Sequence, residues 1–228
     1  MATKKNDFVE IKYTGFANGN IFDSNIEEDL KKIHDDAKIR EGIIIIGQGM
    51  VVSGLDKALE GKEIGEEYEL SLSPKEAFGE RKKELVKTIP LKIFTEKNIN
   101  PQPGMVLALD DMIAKIITVS GARVVTDFNN PLAGKEVKYK FKIVRKIENE
   151  EEKCKTVLEL LFRFVPKFEI KEKEIIIKGP KQLEIFIGAF KDKFKELIGK
   201  ELKFELEETK EKKDIKENTQ ENKKELEQ

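Results

Sequence analysis

An acid directly follows an aromatic ring at Phe22-Asp23, in a stretch, IKYTGFANGNIFDSN, that otherwise alternates as strands do. Ile11, Tyr13 and Ile21 fall between polar neighbours, and Asn18-Gly19-Asn20 supplies residues that tolerate positive φ, so a β-hairpin is expected. Asp is depleted in strands. Asp23 therefore either caps the loop that follows or puts a carboxylate into a pocket beside Phe22. Successive residues of a regular strand point to opposite faces, so both side chains reach one pocket only where the strand ends or bulges. The polar segment 24–42 is the expected place for that interruption.

Other reactive residue types offer less. Cys154 is the single cysteine, so it forms no disulfide within the chain. Without a second Cys or His near it in sequence it reads as a structural thiol rather than a nucleophile. His34, the single histidine, stands beside Asp35 and Asp36 in the charged run EEDLKKIHDDAKIREG. That run has no recognised metal-ligand spacing, so an exposed His34 is expected, with no metal and no cofactor.

The next elements must carry whatever pocket exists. Residues 43–46 are four isoleucines, right for a buried strand, and turns follow at Gly47 and Gly49. A short amphipathic helix is expected after Val51 and Val52. Ser53 is its N-cap and Asp56 stands at its third helical position; Leu55, Ala58 and Leu59 form its buried side and Gly61 its stop. EEYELSLSP then alternates again, with Tyr68, Leu70 and Leu72 on one face. The sum is a small α+β unit, a sheet around one helix.

Composition sets the limits. With 228 residues and 39% hydrophobic content the chain buries a sizeable core and is expected to divide into two or three units. Its 43 basic and 44 acidic residues leave a net charge of −1, which argues against a nucleic-acid footprint or a basic membrane face. MATKKNDF lacks an apolar signal core, and no run approaches the roughly 20 apolar residues of a bilayer span. A soluble, cytoplasmic protein is expected. Abundant Lys, Glu and Ile and the absence of Trp fit a heat-adapted protein with surface ion-pair networks.

YTG…NGNIFDS, IGQGMVVSGLDKALEGKEIGE and LSPKEAFGE, in this order and spacing over most of the first 80 residues, resemble the FKBP-type peptidyl-prolyl isomerases. The resemblance implies an antiparallel half-barrel curled around a short helix, with an apolar pocket for a substrate proline ring. Tyr13, Asp23, Val52 and Phe78 would be its catalytic residues, and Phe22, Val51, Leu55 and Tyr139 would bind substrate. The Val52 N–H would hold the substrate carbonyl, while Asp23 would orient Tyr13 and act electrostatically near the twisting amide. Read without the resemblance, Tyr13, Val51, Leu55 and Tyr139 are core. Two positions depart from the family pattern: Leu55 stands where the family usually has Trp, and Phe78 where it often has Tyr. Loss of that hydroxyl removes one peptide contact of about 0.5 to 1.5 kcal/mol, so weakened turnover is expected.

Past Gly79 the simplest members of the family enter their last strand, whereas ELVKTIP, GMVLALDD, MIAKIITVSG and ARVVTDF read here as further strands. PLKIF reads as a helical turn, and turns are expected at Asp110-Asp111 and Ser120-Gly121. Val137, Tyr139, Phe141 and Ile143 then alternate as a closing strand. PQPGM and NNPLAGK resemble the SlyD-type branch, which implies an insert-in-flap domain binding unfolded chains. Met105, Met112 and Ile113 suit promiscuous contact or a core of their own. No His- and Cys-rich tail is present for nickel.

Beyond Asn149 the order α-β-β-α-β is expected, with a helix ended before Pro166, a hairpin, a second helix opened by Pro180 and closed by Gly199, and a last strand. Leu183, Phe186, Ile187, Phe190, Phe194 and Leu197 form one stripe of the second helix. The segment resembles the C-terminal extension of long-type archaeal FKBPs; its stripe is either a private core or the contact of a homodimer.

The expected organisation is α+β: an isomerase domain from 1–84 and 131–150, a mainly-β chaperone insert at 85–130, a C-terminal α+β domain at 151–208, and a disordered or frayed tail at 209–228. Unfolded or proline-containing polypeptides are the expected partners. The alternatives are a holdase-type client-binding module with weak or vestigial isomerase activity, and an interaction scaffold.

Overall fold

The computed structural model describes residues 2–33, 41–109 and 111–207. His34, Asp110 and the tail 209–228 lie outside the described residues. The chain is α+β and divides into two compact units. One contains Glu10–Gly42 and Ile46–Arg145; the other contains Asn6–Val9, Ile43–Ile45 and the chain from Lys146 onward.

In the first sheet, β1 (Phe8–Ala17), β2 (Asn20–Ser24), β4 (Glu67–Leu72) and β9 (Val137–Lys146) run in the order β2-β1-β9-β4, and β3 (Ile43–Ile45) pairs with β1. The strand β3 is one residue shorter than the isoleucine run, although Ile46 is also buried. The hairpin β1–β2 closes through Asn18 and Gly19, both with positive φ, as a two-residue turn matched to strand twist requires. Alternation does the rest: Val137, Tyr139, Phe141 and Ile143 of β9 are buried, while Lys138 and Lys140 between them are exposed.

Helix α1 (Glu27–Lys31) follows β2, an element the polar segment 24–42 does not announce. Helix α2 (Ser53–Leu59) packs on β4 and buries Leu55 and Leu59. Its Gly54 is required there, since a Cβ would stand 2.3 Å from Leu72 Cδ2. Val52, not Ser53, is the N-cap of α2, and no side chain caps it. Ser53 Oγ instead donates to the Glu76 carbonyl at 3.0 Å.

Between β4 and β9 a second sheet forms from β5 (Val86–Pro90), β6 (Val106–Leu109), β7 (Met112–Ser120) and β8 (Arg123–Asp127), all antiparallel in the order β5-β8-β7-β6. Helix α3 (Leu91–Glu96) supplies Phe94 to a core with Leu109, Ala114, Ile116 and Val124. Met105, Val106, Met112, Ile113 and Ile117 are exposed, which decides the methionine question for Met105 and Met112. In this core the Thr126 hydroxyl is fully buried with no hydrogen-bond partner among the described residues. Thr126→Val should therefore raise stability by about 1 kcal/mol, because it removes an unsatisfied polar atom at nearly constant shape. Slower hydrogen exchange at the Ile116 and Val124 amides would report it; faster exchange would mean that the hydroxyl has a partner.

In the second unit α4 (Glu150–Phe162), β10 (Lys167–Ile170), β11 (Glu174–Gly179), α5 (Leu183–Ile198) and β12 (Glu201–Leu206) follow the expected α-β-β-α-β order. The sheet is β10-β11-β12, antiparallel then parallel, with α5 as the crossover between its parallel strands. Asn149 caps α4 by accepting from Glu152 N at 3.0 Å. Cys154 is buried, and burial first, then Glu150, pushes its thiol up to about 11, so it stays protonated. Two helix details differ from the pattern. Helix α5 begins at Leu183, after a turn over Pro180, and Phe186 is 53% exposed while Ile187 and Phe194 are buried. Phe186 lies one residue before Ile187, about 100° around a helix, and so leaves the face that packs.

Candidate functional site

The site begins with a fault in a hairpin. Gly15 pairs with Asp23, but Phe16 pairs with Ile21, so Phe22 is an extra residue in β2. This bulge turns Phe22 and Asp23 toward the same face. It lies inside β2 and not in the segment 24–42 where the interruption was expected. Gly15 makes it feasible: a Cβ there would stand 2.6 Å from Phe22 Cζ, so the ring occupies the space a side chain would need. A glycine inside an alternating strand was the available sequence signal for this bulge.

Four rings and one carboxylate meet here. Phe22 lies edge-on to Phe78, centroids 5.5 Å apart, and to Tyr139 at 5.7 Å. Tyr139 also contacts Tyr13 at 6.1 Å. Tyr13 Oη donates to Asp23 Oδ2 at 2.8 Å. Phe78 is held by its neighbours: Ser73 and Glu76 cap the single 3-10 turn before it, and Gly79 N donates to the Pro74 carbonyl at 2.7 Å. Glu76 is accordingly held below the usual carboxylate range by Ser73.

Asp23 was expected to orient Tyr13, but sequence reasoning missed Ser24 and Asn25, which hold its backbone. Asp23, Ser24 and Asn25 engage its hydroxyl, its carbonyl and its N–H in turn. Ser24 Oγ lies 2.9 Å from the Tyr13 carbonyl, and Asn25 Oδ1 accepts from Tyr13 N at 2.8 Å. Asn25 Nδ2 also donates to the Ile11 carbonyl at 2.7 Å. Thr14 Oγ1 gives its one proton to Asp29 Oδ2, so the Ser24 proton serves the Tyr13 carbonyl or Thr14 Oγ1 at 3.0 Å. Asn25 thus acts as a short length of strand, a role open to Asx side chains that no periodicity reveals.

Val51, Val52 and Leu55, expected to line the same pocket, stand just before and in the first turn of α2. Leu55 is buried; Val51 and Val52 are half-buried. The Val52 N–H makes no hydrogen bond among the described residues. Asp56, 7% exposed, accepts from Gly47 N at 2.8 Å and Gly49 N at 2.9 Å and so holds the turn that leads to Val51 and Val52. Tyr139 is 4% exposed, and its hydroxyl has no hydrogen-bond partner among the described residues. Burial first, then the nearby Asp23 charge, pushes its phenol up to about 12, so it remains a donor at neutral pH.

A cavity of about 530 Å³ lies elsewhere, lined by Lys12, Thr14, Phe16, Asp29, Glu69 and Lys140 among others. Glu69 there pairs with Lys140 and with the nearby Lys138, and the lining brings no aromatic cluster onto a single carboxylate. The ring cluster with its single carboxylate is the better candidate.

The chain leaves this site and returns to it through a joined neck. Gly134 N donates to the Gly79 carbonyl at 2.8 Å, Asn129 brackets Lys82, and Arg81 binds Asp127 through two bonds of 2.6 and 3.0 Å.

The chain is similar in sequence to known proteins. The model of the FKBP-type peptidyl-prolyl cis-trans isomerase family matches residues 1–95, and that described as FKBP26, IF domain, matches residues 87–132. A short-type peptidyl-prolyl cis-trans isomerase of Methanocaldococcus jannaschii is 36% identical over 143 residues, 61% of this chain and 91% of that protein. The FKBP-type peptidyl-prolyl cis-trans isomerase SlyD of Aeromonas hydrophila is 33% identical over 103 residues, 44% of this chain and 49% of that protein. SlyD of Escherichia coli K12 is 34% identical over 110 residues, 46% and 56% respectively. The chain thus spans about half the length of these SlyD relatives.

Proposed function

The chain belongs to the FKBP-type peptidyl-prolyl cis-trans isomerase family, and we propose that it is a folding helper of the long archaeal type, which twists X-Pro bonds in the ring-lined pocket and holds unfolded chains on the sheet between β4 and β9. The observation that carries the site is the convergence of Tyr13, Phe22, Phe78 and Tyr139 on one carboxylate, Asp23.

An X-Pro bond resists rotation by about 20 kcal/mol because twisting breaks amide resonance. The twisted amide is less polar than the planar one, so a dry apolar pocket favours it, and rate comes from positioning and desolvation rather than from a nucleophile. In this reading Phe22, Val51, Leu55 and Tyr139 line the proline site, the Val52 N–H, unpaired among the described residues, takes the substrate carbonyl, and Asp23, fixed by Tyr13, acts on the twisting amide. Phe78 closes the rim.

The client-holding role rests on one face of β6 and β7. Leu107 and Leu109 face the core with Ala114 and Ile116, so their neighbours Val106 and Ile113 point outward and are 60% and 66% exposed. The proposed organisation is an isomerase domain over 1–84 and 131–150, a client-binding insert over 85–130 and a C-terminal domain over 151–208. Exposed Ile185, Phe186 and Leu206 favour self-association of the last. A holdase with weak turnover is the second reading, favoured by that outward apolar face together with a rim residue, Phe78, that lacks a hydroxyl.

The test is Asp23→Ala in a protease-coupled assay on short prolyl peptides. Turnover should fall about tenfold, equivalent to about 1.4 kcal/mol of barrier, with the fold intact. Unchanged turnover at equal stability would make Asp23 a loop-holding residue and sink the pocket assignment.

A further inference from the structure

On the inward row of β9, Val137, Tyr139, Phe141 and Ile143 are all at most 4% exposed, and only Tyr139 carries a polar side-chain atom. A phenylalanine would fill the same ring volume. Buried hydroxyls nearly always find a partner, because an unpaired one forfeits its hydration. Other buried hydroxyls near this sheet comply: Thr3 bonds to the Leu59 carbonyl, and Thr14 and Ser24 share the network behind Tyr13. The Tyr139 hydroxyl finds none among the described residues, and unlike Thr126 Oγ1 it is not fully enclosed, so a ligand entering the ring cluster can reach it. Its ring stands against Tyr13 and Phe22, and Phe22 in turn stands against Phe78, so the phenol sits within the ring cluster. No hydrogen bond joins it to the neighbouring carboxylate of Asp23, whose Oδ2 accepts from Tyr13 Oη.

We propose that the Tyr139 hydroxyl is a substrate-binding donor of this pocket, satisfied by a backbone carbonyl of the bound prolyl peptide, and that it stands in for the hydroxyl Phe78 lacks. The inference rests on the reading of the ring cluster as the peptide site. Its ligand chemistry is a peptide carbonyl beside proline, the acceptor every X-Pro segment presents. The donor stays protonated through neutral pH, so the contact requires no titration.

Tyr139→Phe in the full chain tests it, with peptide affinity by titration, turnover and thermal midpoint measured together. Removing a hydroxyl with no partner in the free protein should leave the midpoint unchanged or raise it, while affinity for a short prolyl peptide falls two- to tenfold, the worth of about one hydrogen bond. In Tyr139→Phe/Phe78→Tyr the hydroxyl returns to the rim, and affinity should recover. Unchanged affinity in Tyr139→Phe, a midpoint that falls with affinity, or a double variant as weak as the single one would each overturn the proposal. Asp23→Ala, run beside them, separates the two failures. If Asp23→Ala loses turnover while Tyr139→Phe binds normally, the donor role alone is wrong. If neither variant changes anything, the peptide binds elsewhere.

Discussion

Refolding of a long, proline-limited protein should slow about 100-fold when residues 85–130 are replaced by a short Gly-containing flap, while turnover on short peptides stays within a few fold. The split follows from the neck. Gly79 and Gly134 are already hydrogen-bonded at 2.8 Å, so a short connection can close where the chain leaves and re-enters the first sheet. Replacing the segment removes two pairings at the neck, Arg81 with Asp127 and Lys82 with Asn129. Asp127 is held below its usual range by the Asn129 amide and Arg81 in spite of burial, yet half-exposed ion pairs of this kind contribute little. Phe94, Ile116 and Val124 form a core of their own, so its loss opens no cavity beneath the rings. A short peptide needs only the pocket. A long client bound by the outward face of β6 and β7 is held near it, and the tether raises its effective concentration toward the mM range. Equal losses in both assays would show that the intervening sheet shapes the pocket, and equal survival would locate client binding elsewhere in the chain.

Asp56→Ala should cost about 3 kcal/mol of stability, the largest effect expected of any single side chain near the site. The carboxylate is buried and accepts two backbone N–H groups, from Gly47 and Gly49, both of which have positive φ. Charge-assisted bonds of this kind are worth roughly twice neutral ones, and truncation leaves both amides to find water in a half-buried turn. Since that turn leads to Val51 and Val52, peptide affinity should fall beyond what the unfolded fraction explains. Asp56→Asn, which keeps one acceptor oxygen, should lose about half as much. Denaturant unfolding measures both variants; a loss under about 1 kcal/mol for Asp56→Ala would mean that the turn is held by its own glycine geometry.

Much of this could be read from local pattern. The hairpin β1–β2 follows from alternation and the Asn18-Gly19 turn, and α3 and the α-β-β-α-β order from periodicity and stop signals such as Gly199, whose φ is 82°. Motif resemblance named Tyr13, Phe22, Asp23, Phe78 and Tyr139, and these five do converge. Local rules failed where a side chain had two uses. Ser53 and Asp56 look like a helix start, but Ser53 turns to Glu76 and Asp56 to Gly47 and Gly49, acceptors and donors on either side of α2. Phe186 matches the helical stripe in type, but its angle on α5 leaves it exposed.

A period of two or of 3.6 residues is a property of a short stretch of chain, so strands, helices and most buried faces are legible without knowing what they pack against. Partnership between polar atoms is not. Whether Asp23 caps a loop or faces the rings depended on one extra residue in the β1–β2 register, and whether the Tyr139 hydroxyl is satisfied depended on what β1 and β2 present to a strand far along the chain. Hydrogen bonds form or fail over a few tenths of an ångström, a scale that folding sets and residue type leaves open.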